Sequence, residues 1–305
     1  MMLPPQVRVV ERGWLSSNNI VCHEGDTATL VDSGYVAHAG ETVALVRQAI
    51  EGRRLARLVN THSHSDHIGG NAALKRAFGC DIVIPAGIAA AVAAWDEQAL
   101  FLAPSGQRGD RFAHDATIAA GDAFEMGGLA WRAHAAPGHD MEALVFHCPG
   151  ERLLISGDAL WRDGFGIIFA EVMGLGEGLK ATRRTLEAIG RLDIDIVIPG
   201  HGAPFADVDE ALQRAFRRVA AFAADPGRMA RNAIKACFTF NLLELGSLPR
   251  ADLPAYLAAI PFFHDIATRI LAMDVGAAAD WLVAELRRAG AIEIRDGLIV
   301  PTMAP

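Results

Sequence analysis

Between residues 61 and 70 the chain reads Thr-His-Ser-His-Ser-Asp-His-Ile-Gly-Gly. This places three imidazoles (His62, His64, His67) and one carboxylate (Asp66) within six positions. Imidazole and carboxylate are the usual ligands of a borderline divalent cation such as zinc. The segment follows an apolar run of strand length, Leu55-Ala56-Arg57-Leu58-Val59, and precedes a stretch of helical periodicity from Asn71 to Phe78. The cluster therefore belongs at a strand-to-helix turn, where rigid elements hold the backbone and the side chains fan out into a cleft.

Three further candidates occupy similar settings. His139 follows Ala136-Pro137-Gly138, Asp158 follows Leu153-Leu154-Ile155 through Ser156-Gly157, and His201 follows Ile194–Ile198 through Pro199-Gly200. Each lies just past an expected strand, with a glycine that lets the backbone turn sharply beside a crowded centre. Seven nitrogen and oxygen ligands exceed what one tetrahedral zinc takes and suit two ions that share a carboxylate. Water held between two cations is acidified to near neutrality. The resulting hydroxide can attack a carbonyl or phosphoryl centre while a cation takes up the charge developing on oxygen. No G-x-S-x-G elbow accompanies this set, so no serine nucleophile is implied.

The order Thr-His-x-His-x-Asp-His, Pro-Gly-His, Gly-Asp, Pro-Gly-His-Gly resembles the metallo-β-lactamase superfamily over roughly residues 7–204. The resemblance implies an α+β protein, a four-layer αβ/βα sandwich with a dinuclear site at one edge. It implies His62, His64 and His139 on a first metal, and Asp66, His67 and His201 on a second. Asp158 would bridge both. Asp158 and Asp66 carry the catalytic roles, Asp66 by holding a proton for the leaving group. Asp32, before Ser33-Gly34, matches an acidic residue of the family that supports the site without ligating. The expected cofactors are two divalent ions, zinc first, with iron or manganese compatible with the same donors.

The elements that must position these residues read as two batches of strands and helices. Val7–Val10, Asn19–His23, Thr27–Asp32, 55–59 and Asp81–Ile84 are expected strands, with helices at Thr42–Ile50 and 71–78. After an irregular stretch at 96–115, placed near the cleft, come hairpins over 116–135 and a strand pair at Ala143–His147 and Arg152–Ser156. A helix at Leu179–Leu192 and the strand 194–198 close this part. Beyond about Pro204 the pattern is helical, ending in a helix (Ala277–Gly290) and a hairpin turning at Asp296-Gly297. The expected division is a catalytic domain at 1–205 and a helical, winged-helix-like region at 206–305 that packs over the cleft and offers a surface for a homodimer.

The formal net charge of −8 disfavours a general affinity for nucleic acid or anionic membrane. In residues 206–305, 11 Arg and Lys stand against 12 Asp and Glu, so the wing carries no electrostatic footprint for nucleic acid. One basic helix face, Arg228, Arg231 and Lys235, is a candidate neighbour for an anionic substrate group. The four scattered cysteines, Cys22, Cys80, Cys148 and Cys237, read as small buried hydrophobes rather than disulfides or zinc ligands. With no basic-then-apolar leader and no long apolar run, the expected location is the cytoplasm.

Di-iron oxidoreductases of the same design generally carry Glu at the position of His64, so hydrolysis is the expected chemistry. The expected substrate is a small acyl thioester or ester, on the branch that resembles hydroxyacylglutathione hydrolase. Lactone or β-lactam opening and phosphodiester cleavage are the alternatives. Asp140 departs from the Pro-Gly-His-Thr of that branch. Tyr35, Trp161 and Phe165 are expected mainly to pack, with oxyanion donation (Tyr35) and pocket lining (Trp161, Phe165) as their functional alternatives. His23, His114, His134 and His147 are expected to be structural.

Overall fold

The computed structural model describes residues 2–303. Alternation along the strands sets the layering, because successive side chains of a strand point to opposite faces. In β2 (Asn19–Glu24), Ile20 and Cys22 face one core while Val21 faces another. The first sheet has the order β1 (Val7–Val10), β2, β3 (Thr27–Val31), β4 (Arg54–Val59), β5 (Asp81–Pro85) and β6 (Ala116–Ile118). Its first three strands are antiparallel neighbours, and β3 to β6 pair in parallel. Helices α1 (Ala39–Ala49), α2 (Ser65–Ile68), α3 (Asn71–Phe78) and α4 (Ala89–Ala94) connect these strands. On the outer face, Val46, Leu74 and Val92 pack with Leu30, Leu58 and Ile82.

The second sheet runs β11 (Ile196–Pro199), β10 (Leu153–Gly157), β9 (Leu144–Cys148), β8 (Leu129–Ala135) and β7 (Ala123–Met126). Only β10 and β11 are parallel in it. The two sheets face each other across Ile20, Cys22, Val31 and Val59 on one side and Trp131, Phe146, Leu153, Ile155 and Ile198 on the other. Helix α7 (Gly178–Ile189) covers the outer face of the second sheet. The result is the expected four-layer αβ/βα sandwich, and all four cysteines are buried and free.

After the sandwich come α8 (Val208–Ala224) and α9 (Pro226–Leu245). Then follow β12 (Leu248–Pro249), α10 (Leu253–Ala259), α11 (Pro261–Asp265), a π-helical turn at Ile266–Ile270, α12 (Val275–Arg288), β13 (Ile292–Arg295) and β14 (Leu298–Pro301). The short β12, too brief for sequence periodicity to reveal, pairs with β14 beside the terminal hairpin. It adds a third strand to that hairpin, so the region runs helix (α9), strand, three helices, strand, strand. One continuous core joins Val145, Leu154 and Val197 of the second sheet to Phe238, Phe262, Leu282 and Ile299 of this region.

Two short helices belong to the cleft. α5 (Leu102–Ser105) lies in the irregular stretch, and α6 (Phe169–Val172) follows the Asp158 loop. Among the described residues no helix is long and apolar enough to cross a membrane.

Candidate metal centre

The loops that follow β3, β4, β8, β10 and β11 meet at one edge of the sandwich. Backbone bonds tie the two halves together there. Asn18 N–H donates to Gly200 O (2.7 Å) and Leu144 N–H to Thr61 O (2.9 Å), while Ser17 N–H to Asp66 O (3.0 Å) joins two loops of the first half. All seven candidates of the sequence analysis arrive at this edge in two groups. His62, His64 and His139 form one, and Asp66, His67, Asp158 and His201 the other. Within each group the available ligand atoms lie within 4.8 Å of one another. Asp158 stands between them: its Oδ1 is 3.4 Å from His67 Nε2, while its Oδ2 is 3.4 Å from His139 Nε2 and 3.8 Å from His201 Nε2.

The approach of backbone to these groups is tight. A Cβ on Gly200 would sit 2.2 Å from Asp158 Oδ1, and one on Gly166 would sit 2.4 Å from His139 Nδ1. Only glycine fits at either position.

Hydrogen bonds outside the groups fix which ring nitrogen faces inward. His67 Nδ1 is 2.7 Å from Asp32 Oδ2, and the same carboxylate accepts from Thr61 N–H (2.9 Å) and Thr61 Oγ1 (2.8 Å). Asp32 sits at φ 57°, a left-handed conformation that Asp tolerates better than most residues. His139 Nδ1 donates to the Ile167 carbonyl at 2.6 Å, which leaves its Nε2 lone pair toward the site. Asp158 Oδ1 accepts from Trp161 Nε1 at 3.2 Å.

Three features of the donor set fit divalent cations. His62 Nε2 and His67 Nε2 are buried without a hydrogen-bond partner, a costly state for a polar atom unless something else engages it. His64 Nδ1 and His139 Nε2 lie 2.7 Å apart, a contact that two lone pairs tolerate only with a cation or proton shared between them. The donors themselves are imidazole and carboxylate throughout.

The electrostatics agree. Burial, then repulsion from His139, lowers the His64 pKa to about 4, and burial with neighbouring His67 and His64 holds His62 well below its ordinary value. Burial opposes charge on His67 too, but Asp32, Asp158 and Asp66 outweigh it and raise its pKa well above the usual range. Burial would likewise raise Asp158 and Asp66; His67, with His201, overcomes it and keeps both ionised. Without metal, one proton on His67 therefore does part of what a cation would do among three carboxylates.

The remaining expectations resolve by contact. Tyr35 is fully buried and its hydroxyl donates to Glu244 of α9; Glu244 also pairs with Arg108. This contact ties α9 of the C-terminal helical region to the sandwich. His23 bonds the Ala49 carbonyl (2.8 Å) and His147 the Asp193 carbonyl (3.1 Å), with His134 beside it. Asp140 accepts from Ser63 Oγ (2.8 Å) and Ser63 N–H (3.2 Å), so this departure from the family pattern props the loop between His62 and His64. Ser65 Oγ donates to Gln107 at 2.6 Å, which places the irregular 96–115 stretch against the centre as expected.

Sequence reasoning offered Trp161 as a pocket-lining alternative and missed the other aromatic walls. Trp14 and Trp161 flank His201 at ring-centroid distances of 5.1 and 5.4 Å. On the other side Phe169 lies 4.9 Å from His64 and 5.4 Å from His139, and it is backed by Phe101 and Phe262. Trp14 follows no motif and Phe262 lies about two hundred positions from His64 in sequence, so nothing local marked either.

A layered αβ/βα sandwich with an edge site of this donor set is the architecture of a dinuclear metallohydrolase. The family model described as the metallo-beta-lactamase superfamily matches residues 12–201, and the chain belongs to that superfamily.

Among curated relatives, it is 30% identical over 131 residues to a hydroxyacylglutathione hydrolase of Hyphomonas neptunium, covering 43% of this chain and 44% of that one. It is 30% identical over 178 residues to another from Anaeromyxobacter dehalogenans, covering 58% of each. The chain thus spans about half the length of the curated relatives it matches. Among solved structures, a metallo-beta-lactamase family protein of Thermus thermophilus aligns with TM-score 0.58 at 20% identity, over 98% of this chain and 100% of that one. The FEZ-1 metallo-beta-lactamase of Legionella gormanii aligns with TM-score 0.59 at 14% identity, over 73% and 94%. At these identities the structures speak to fold alone.

Proposed function

We propose that this protein is a metal-dependent hydrolase of small acyl thioesters. The observation that carries the reading is the pair of ligand groups sharing Asp158, with the buried Nε2 atoms of His62 and His67 otherwise unengaged. His62, His64 and His139 would hold one divalent cation; Asp66, His67 and His201 would hold the other, with Asp158 shared. Zinc is the first choice and iron or manganese the alternatives for these donors. When bound, such a pair supplies a water acidified to near-neutral pKa and a Lewis acid for the attacked oxygen.

The chain's own residues do the rest. Asp32 keeps the His67 proton on Nδ1, Ile167 does the same for His139, and Trp161 orients Asp158. Asp66 Oδ2, 2.9 Å from His201 Nε2, is the carboxylate placed to take a proton from the attacking water and pass it to the leaving group. The phenylalanine wall beside His64 and His139 keeps water out and offers an apolar seat for an acyl chain.

A thioester suits this set chemically. A thiolate leaves with a pKa near 8.5, so it needs far less protonation than an amine or alkoxide, and Asp66, which His67 and His201 keep ionised, is not a ready proton donor for a poorer leaving group. The hydroxyacylglutathione hydrolases among the relatives support the same substrate class. The test is a metal-loaded panel of S-acyl glutathione, acyl-CoA, a homoserine lactone, nitrocefin and bis-p-nitrophenyl phosphate. Turnover of at least one thioester well above the other classes is expected. Dominant cleavage of the phosphodiester, the lactone or nitrocefin would overturn the assignment.

A further inference from the structure

Away from the metal centre, α8, the first turns of α9 and Glu285 of α12 line a solvent-open pocket of about 530 Å³, in volume within the range of small-molecule sites. Its lining is dominated by cations: Arg217 and Arg218 from α8, and Arg228, Arg231 and Lys235 from α9. Two of these are already paired, Arg231 with Asp225 (3.0 Å) and Lys235 with Glu285 (3.6 Å). Arg217, Arg218 and Arg228 have no carboxylate within ion-pair reach among the described residues, and their guanidinium groups make no hydrogen bond there.

Arg218 is the informative one. Its guanidinium stacks over Phe165 (5.1 Å) and Phe222 (5.3 Å). This buries much of the side chain, and burial followed by repulsion from Arg228 lowers its pKa. A fold that holds two cations close enough to repel, with one of them partly desolvated, has an energetic deficit that a bound anion would relieve. Asn232 adds an amide donor to the same wall.

We infer that this pocket is a binding site for a multiply charged phosphate-bearing small molecule, held by Arg217, Arg218 and Arg228. Planar guanidinium groups match phosphate oxygens two at a time, and three uncompensated cations match pyrophosphate or a bisphosphate better than a single carboxylate. The site is one side chain from the chemistry. Phe165, under Arg218, also lines a small cavity with His139 and Asp158, and Gly166 abuts His139. The phosphate can belong to the carrier half of a thioester or to a free molecule acting on the centre through Phe165. Anion binding itself does not depend on the thioester reading; only the choice between these two sources does.

The experiment titrates inorganic pyrophosphate and adenosine 3′,5′-bisphosphate by calorimetry into the 305-residue chain, its Arg218→Gln/Arg228→Gln variant and a His62→Ala control. Binding to the wild type and to His62→Ala is expected, weakened roughly tenfold or more in the arginine variant. Arg217→Glu/Arg228→Glu, at exposed positions, provides the same comparison should Arg218→Gln disturb packing on Phe165. Equal binding in wild type and both arginine variants, or loss in His62→Ala alone, would overturn the proposal. So would capture of a single-stranded RNA oligomer with no affinity for either small anion.

The source is read from kinetics. A KM rise of about tenfold or more in the arginine variants for acyl-CoA but not for an S-acyl N-acetylcysteamine assigns the phosphate to the substrate. Pyrophosphate acting equally on both substrates assigns it to a free effector. Failure of all thioester turnover with pyrophosphate binding intact removes the hydrolytic reading and leaves this site standing.

Discussion

Replacing Asp32 by Asn keeps the side chain's shape but removes its negative charge and turns one acceptor oxygen into an NH2 donor. Asn keeps the volume of Asp and tolerates the φ of 57° at this position, so the loop after β3 is expected to stay in place. The carboxylate now accepts three bonds, from Thr61 N–H, Thr61 Oγ1 and His67 Nδ1. An amide has one acceptor oxygen, and its NH2 must face at least one of these donors. Turned toward His67, it favours the tautomer with the proton on Nε2, the nitrogen a cation would need. Losing a hydrogen bond to a charged acceptor costs about 1.5–3 kcal/mol, which is roughly ten- to hundredfold in affinity and in line with substitutions behind other metal-bound histidines. The larger loss should fall on the cation held by His67, because His62 meets Asp32 only through the Thr61 hydroxyl, which donates to Asp32 Oδ2 and lies 3.0 Å from His62 Nδ1. Chelator competition with metal counting should show one site weakened by that factor and the other weakened less, and nitrogen NMR of the imidazoles should show the altered His67 tautomer. Unchanged affinity at both sites, or equal weakening of both, would refute the reasoning.

Three other outcomes follow from the same contacts. In the metal-free chain, His64 takes a proton only near pH 4 when folded but near 6.5 when unfolded. The unfolded state therefore binds more protons in that window, and stability should fall by about 3 kcal/mol as pH drops through it. Lowered His62 acts in the same direction, and the stabilisation from raised His67 is already complete below 6.5. A flat urea midpoint from pH 6.5 to 4 would contradict this. Tyr35→Phe should cost about 1.5–3 kcal/mol in urea unfolding by leaving Glu244 short of a donor, with kcat nearly unchanged; a large kcat loss at unchanged stability would instead make Tyr35 an oxyanion donor. Phe169→Ala should raise KM about tenfold for thioesters of long apolar acids and little for acetyl thioesters, and equal effects on both would remove Phe169 from the acyl seat.

What was legible in the sequence is what local chemistry encodes. Alternating and helical periodicities located β1 at Val7–Val10 and placed α1, α3, α7 and α12 within a few residues. The ligand candidates stood out because each follows an apolar strand through a small residue or Gly. β12 was not legible, because two residues have no period; it exists through its pairing with β14. Trp14, Phe101, Phe169 and Phe262 were not legible either, since an aromatic side chain beside a histidine is a product of tertiary packing. The basic face of Arg228, Arg231 and Lys235 was visible, but its partners Arg217 and Arg218 come from a neighbouring helix, and two of its three cations prove already neutralised.

The account stands on two cations sharing Asp158. Anomalous diffraction from crystals of the metal-loaded chain, recorded on both sides of the metal edge, tests this most directly. It should show two peaks per chain, one among His62, His64 and His139 and one among Asp66, His67 and His201, with Asp158 reaching both. A single peak at saturating metal, or two peaks with Asp158 turned away from either, would contradict it.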